Sequence, residues 1–112
     1  MMGSEILQNL FDERDALSDM IINANPRNDE ERNLLQNLMK RRDRITGAIN
    51  TIIAKTFNEA TAGLADKLSD LEKLTEKLNK LSKTIDNVKA AIQIADQIIQ
   101  VALSILALVA TA

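Results

Sequence analysis

The sequence lacks most of the side chains on which enzyme chemistry depends. Its 112 residues include no Cys, His, Trp or Tyr, and only 2% of them are aromatic. Without Cys there is no disulfide, thiolate nucleophile or cysteine zinc site, and without His there is no imidazole ligand or histidine base. The sequence therefore predicts a non-enzymatic protein, and it indicates no cofactor, metal or small-molecule substrate.

Strong charge of either sign is also missing. The chain has 14 Lys and Arg against 16 Asp and Glu, a formal net charge of -2, so its composition favours no nucleic-acid partner. The single basic run, Lys-Arg-Arg-Asp-Arg at 40–44, contains an acid and has no aromatic neighbour. Such a short run is more typical of a solvated helix face than of a phosphate-binding surface.

Carboxylates are the only catalytic material present in quantity, and their spacing places them on outward helix positions. Asp96 is the one acid within an apolar stretch, at the border of a polar stripe. Acids on solvated faces do not converge on a metal. The acids expected to face solvent are Asp12, Glu13, Asp15, Asp19, Asp66, Asp70, Glu72 and Glu76.

Gly and Pro, which punctuate helices, occur three times and once. Pro26 predicts a break, after which Asn28 can cap a new helix. Gly63 predicts a second break as a left-handed helix end, whereas Gly47 lies inside a helical pattern and is interpreted as a close-packing position. The apolar spacing predicts a single helical domain, 1–112, with helices over about 5–22, 29–62 and 64–112.

The first two predicted helices resemble each other at an offset of 28 residues. Leu-Gln-Asn-Leu occurs at 7–10 and again at 35–38, and each helix carries Arg-Asp, at 14–15 and 42–43. Either a duplication or convergent helix patterning accounts for the match. In both helices the arginine occupies an apolar stripe, so its head must reach solvent or pair with a neighbouring carboxylate.

The third segment carries the strongest pattern, an unbroken alternation of three- and four-residue spacings typical of a coiled coil. It predicts an antiparallel helical bundle made of a helical hairpin and a long C-terminal helix. A break near Ser82 to Asn87, where polar side chains can cap a helix, gives the alternative of a compact four-helix bundle. The positions in phase are Leu71, Leu74, Leu78, Leu81, Ile85, Val88, Ile92, Ala95, Ile99, Ala102, Leu106 and Val109.

From Ala90 onward this segment is apolar around most of its circumference and must be enclosed on several sides. In the three-helix arrangement nothing in the chain covers its last turns, so an exposed apolar surface is expected there, which usually marks an interface. The predicted interface residues are Ile98, Ile99, Val101, Leu103, Ile105, Leu106, Leu108 and Val109.

Three arrangements would bury that surface. A homo-oligomer would cover it with a second copy, a break near Ser82 to Asn87 would fold it back on the chain, and a membrane would cover it with lipid. The uncharged residues 97–112 fall short of the roughly 20 needed to span a bilayer and lack flanking aromatic or basic residues.

The expected function is that of a helical interaction or assembly module that self-associates or binds a helical partner through its apolar C-terminal helix. The alternative is a membrane-interacting or pore-forming protein that inserts the same segment. The start of the chain has no basic region followed by an apolar run, so no secretory signal is expected and a cytoplasmic location is favoured.

Overall fold

Four α-helices account for most of the chain in a computed structural model, which describes residues 2–58 and 60–110. These residues contain no β-strand. The all-α helical bundle predicted from the apolar spacing is confirmed. The helices are α1 (Met2–Asn23), α2 (Asp29–Ile53), α3 (Leu64–Lys80) and α4 (Val88–Ala110), with one 3₁₀ turn (Ile85–Asn87) before α4.

The helices form two hairpins that lie side by side, α1 with α2 and α3 with α4. Around the bundle the order is α1, α2, α4, α3, so that α1 packs on α3 and α2 packs on α4. Arg27 in the first hairpin turn pairs with Asp86 in the second (3.4 Å), and Arg41 in α2 pairs with Asp96 in α4 (3.1 Å). Both turns therefore lie at one end of the bundle, and α2 runs parallel to α4.

The prediction of one long helix over 64–112 is wrong, and the break near Ser82 to Asn87 is present. Leu81 has an extended backbone (φ -78°, ψ 134°) that ends α3. The Asn87 side chain donates to the Ser82 carbonyl (3.0 Å), and the Lys83 ammonium donates to the Leu78 carbonyl (3.2 Å). These side chains donate to backbone carbonyls that a continuous helix would use for its own hydrogen bonds, and they therefore stabilise the break. The heptad spacing of the sequence thus runs through a point where the chain reverses direction.

The prediction that the second helix extends to 62 is also wrong, because α2 ends at Ile53. The connection that follows places the Phe57 ring against Gly3 at the start of α1, where a Cβ on Gly3 would lie 3.1 Å from the ring. Gly63 is left-handed as expected (φ 88°), but it precedes α3 and does not end α2.

The start of α2 follows the prediction that Asn28 caps this helix. Asn28 Oδ1 accepts from the Glu31 backbone N–H at 2.9 Å, as an N-cap does. The Glu31 carboxylate accepts from the Arg27 guanidinium (2.7 Å) and from the Arg27 backbone N–H (2.8 Å). These bonds from Arg27 lower the pKa of Glu31 to about 2. These hydrogen bonds fix the first helical turn of α2. Arg27 also links this end of α2 to the turn between α3 and α4.

The two arginines repeated at an offset of 28 residues have the same local arrangement. Arg14 pairs with Asp15 and Arg42 pairs with Asp43, each at 3.2 Å. Arg14 also lies over the Phe11 ring, 5.0 Å from its centroid. The expectation that these arginines are satisfied by neighbouring carboxylates is confirmed.

The core is aliphatic and receives side chains from all four helices. Each large side chain that leaves water contributes about 1.5–3 kcal/mol to folding. The largest fully buried side chains are Ile6, Leu10, Leu17, Met20, Leu38, Ile45, Ile49, Ile52, Leu64, Leu71, Leu78 and Ile98.

Gly47 is not the close-packing position that its place in the pattern suggested. It lies within α2, and a Cβ built on it would have no heavy atom within 4 Å apart from its own helix and chain neighbours. The bundle therefore has an open notch at this point on its surface.

Replacing Gly47 by Ala should raise the free energy of unfolding by about 1 kcal/mol, since Ala is the better helix former and meets no clash. Urea unfolding of dilute protein measures the change. Gly3→Ala is the matched control, because its Cβ would press on Phe57 and offset the gain. Equal stabilisation by both substitutions would contradict the prediction.

Candidate functional site

The predicted interface residues do not form one uncovered overhang, because α4 lies between α2 and α3. Ile98, Ile105 and Val109 are buried in the core, so the expectation that they are exposed is wrong. Ile99, Val101, Leu106 and Leu108 are half-buried against it. Leu103 alone of the eight is exposed, at 58%. Enclosure by the chain itself thus removes most of the predicted surface and leaves a strip centred on Leu103.

An apolar groove of about 400 Å³ runs along this strip between α2 and α4. Its α4 wall consists of Ile99, Leu103 and Leu106, and its α2 side includes the open notch at Gly47 and Ala48. Small side chains opposite large aliphatic ones leave room for a side chain from outside. This surface is called the α2–α4 groove below. It is lined by Arg44, Gly47, Ala48, Thr51, Ile99, Leu103 and Leu106.

The basic run 40–44 is divided among different surroundings. Arg41 pairs across the groove end with Asp96, which remains half-exposed as expected, and Arg42 pairs with Asp43. Arg44 lines the α2–α4 groove and makes no ion pair with the described residues. The run therefore does not form a continuous phosphate-binding stripe. The guanidinium of Arg44 lies beside the apolar groove, unpaired within the described residues.

A second groove, of about 380 Å³, lies on the other side of α4, against α3. It contains Lys67, Lys73 and Lys77, none of which forms an ion pair within the described part of the chain, together with Asp70. Amide side chains of α4 line its opposite edge. This groove is polar, in contrast to the α2–α4 groove.

The contact between α1 and α3 contains a polar cluster made of the half-buried Asn9 and Thr75 and the fully buried Glu13. The Thr75 hydroxyl lies 2.9 Å from Asn9 Oδ1 and 3.0 Å from the Leu71 carbonyl. Glu13, one turn beyond Asn9, is 0% exposed, and neither of its carboxyl oxygens has a hydrogen-bond partner among the described residues. A buried polar group without a partner is rare and calls for a physical explanation.

The prediction that Glu13 faces solvent is wrong. Its position continues the spacing of four and three set by Ile6 and Leu10, and Leu17 follows four residues later, so that the apolar stripe of α1 passes through it. The stripe was visible in the sequence, but the charge of the residue argued for the opposite face. Asp12, Asp15 and Asp19 are exposed as predicted.

Burial raises the pKa of Glu13 from the ordinary 4.5 to about 8, because the charged form loses its hydration. The nearby Thr75 hydroxyl opposes the rise, although its hydrogen is directed to Asn9 or Leu71, and the negative charge of Asp12 adds to the rise. Glu13 therefore carries a proton in the folded bundle at neutral pH.

No known protein family, curated protein or solved structure matches this chain. The described residues contain no group of three or more acids that could hold a metal ion. One segment, Ile85–Val109, has the length and apolar composition of a membrane span, a property that the core helices of soluble proteins share. The function of this protein is therefore inferred from the geometry of its surface and core.

Glu13→Gln should change how stability depends on pH. The folded state holds a proton on Glu13 up to about pH 8 and the unfolded chain only to about 4.5, so the contribution of Glu13 to wild-type stability is greatest below 4.5 and falls as the pH rises towards 8. The amide has no such titration. The unfolding free energy of the variant, relative to wild type, should rise by about 4 kcal/mol between pH 4.5 and 8.

Urea unfolding at a series of pH values measures this difference. Glu5→Gln removes an exposed carboxyl from the same helix and serves as the control. Parallel stability curves for wild type and Glu13→Gln would contradict the prediction.

Proposed function

We propose that this protein is a non-enzymatic helical assembly module that pairs through the α2–α4 groove, with a second copy of the chain as the occupant. The observation that carries the proposal is the exposed Leu103 beside the open notch at Gly47. Helix packing against an apolar groove is a recurrent mode of protein recognition.

A projecting side chain and a recess on the same surface suit a symmetric pair. Two copies related by a two-fold axis would each insert Leu103 into the notch at Gly47 and Ala48 of the other. The neighbouring Ile99 and Leu106 are half-buried and would complete the contact. Their removal from water supplies an attraction that salt does not screen.

Charge around the groove is compatible with this arrangement. The formal net charge is only -2, so two copies repel each other weakly. Arg41 and Asp96 neutralise each other at the groove end, and Arg44 lies where its aliphatic stem can cover the apolar contact while its guanidinium stays in water.

Leu103→Glu should weaken self-association. Two leucines are buried per dimer at about 1.5–2 kcal/mol each, so a loss of roughly 100- to 1,000-fold in affinity is expected. Sedimentation equilibrium over a wide concentration range measures it. Ile22→Glu is the matched control, since Ile22 is 76% exposed on α1, away from the groove.

Gly47→Gln fills the notch without adding apolar surface and should weaken association as well. A wild-type protein that sediments as a monomer at every concentration would contradict the proposal. Equal effects of Leu103→Glu and Ile22→Glu would contradict the assignment of the groove.

A second candidate function, interaction with a membrane, is favoured by the segment Ile85–Val109. Insertion would require the bundle to open, because Ile98 and Ala102 of this segment are fully buried in the core. If the protein acts on membranes, it should float with liposomes and release an enclosed dye. A protein that stays in the soluble fraction and causes no leakage would contradict this function.

A further inference from the structure

The two contacts that join the hairpins differ in chemistry. The α2–α4 contact is built from aliphatic residues such as Ala48 and Ile99, and the Arg41–Asp96 ion pair spans it. The α1–α3 contact instead contains Asn9, Glu13 and Thr75. Polar groups in a contact reduce the gain from apolar burial and add a desolvation cost. The α1–α3 contact is therefore the weaker of the two.

The surroundings of Glu13 offer no compensation for a negative charge. On α1 the adjacent Asp12 repels it, and on α3 the contact carries another acid, Glu72, which lines a surface groove with Glu5. Within the described residues no Lys or Arg forms an ion pair with Glu13. The charged groups nearest the core on α2 and α4 are held in pairs with other residues, namely Arg41 with Asp96 and Arg42 with Asp43.

We propose that Glu13 makes the α1–α3 contact a pH-controlled gate: the bundle is closed while the carboxyl is protonated, and ionisation separates α1 from α3 while α2 stays packed on α4. A buried carboxylate without a counter-charge can regain hydration only if one of the walls around it moves away. Since the α1–α3 contact is the weaker of the two contacts between the hairpins, water reaches Glu13 by separating α1 from α3.

Opening of this contact would expose the inner face of α4. Ile98 and Ile105, which the sequence predicts as interface residues and the closed bundle buries, belong to that face. The gate would thus control access to an apolar surface separate from the α2–α4 groove. It does not depend on the proposed pairing through that groove.

The absence of native Cys allows opening to be measured with a single introduced thiol. Ala16→Cys places it on α1, seven residues after Asn9 and so on the stripe that faces α3, in a buried position. Ala95→Cys places it on α4, four residues before Ile99 of the α2–α4 groove, and is also buried. Each thiol reacts with a disulfide reagent only when its contact opens.

The rate of thiol labelling is measured from pH 5.5 to 8.5 and divided by that of the unfolded chain at the same pH. At position 16 this relative rate should rise by about two orders of magnitude, because the open state gains up to tenfold per pH unit until Glu13 is ionised in the closed state. At position 95, which becomes accessible only on global unfolding, the relative rate should stay well below that at position 16 at every pH. Adding Glu13→Gln to Ala16→Cys should abolish the rise, and Glu13→Met should do the same.

Equal relative rates at positions 16 and 95 throughout the pH range would show that both thiols react through global unfolding and would overturn the proposal. The same rise with Glu13→Gln present would overturn it as well, since the opening would then depend on another group. Neither result depends on the oligomeric state, so a failure of the proposed pairing and a failure of the gate are distinguishable.

Discussion

The enclosure of α4 is the constraint on which the rest of the structure depends. This helix is apolar around most of its circumference, and a helix of that kind is stable in water only when other elements surround it. The turn at 81–87 folds it back between α2 and α3. That placement sets the order of the helices around the bundle, since α1 must then close the remaining side.

Closing the bundle in this way produces two unlike contacts between the hairpins. The α2–α4 contact receives the most apolar helix and leaves an apolar groove where Gly47 and Ala48 are too small to cover Leu103. The α1–α3 contact contains the polar side chains of Asn9, Glu13 and Thr75. One arrangement thus accounts for both an apolar groove on the surface and an ionisable group in the core.

The sequence predicted the fold class, the break at Pro26 and the capping role of Asn28, because each depends on local chemistry. The heptad spacing showed which positions turn inward, but such spacing does not report whether the chain continues straight. The choice between a long helix and a turn at 81–87 depended on contacts made by Lys83 and Asn87 with backbone groups, which have no periodic signature.

The candidate site was predicted less well than the fold. The turn at 81–87 folds the predicted overhang back onto the bundle. Of the predicted interface residues, Leu103 is therefore exposed, whereas Ile98, Ile105 and Val109 lie in the core. The notch at Gly47 depends on how α2 and α4 approach each other, which the sequence of either helix alone does not determine. The charge of Glu13 predicts a solvent-facing position, whereas its place on the apolar stripe of α1 predicts the burial that the bundle shows.

The burial of Glu13 has a cost that the enclosure of α4 must offset. A rise in pKa from 4.5 to about 8 corresponds to about 5 kcal/mol between the charged and protonated forms, comparable with the whole stability of a small domain. The bundle remains closed at neutral pH because most Glu13 carboxyls accept a proton, which costs less than exposing the apolar core. Near neutral pH, the stability of the bundle then depends on proton concentration through Glu13, in a chain that has no histidine to perform that role.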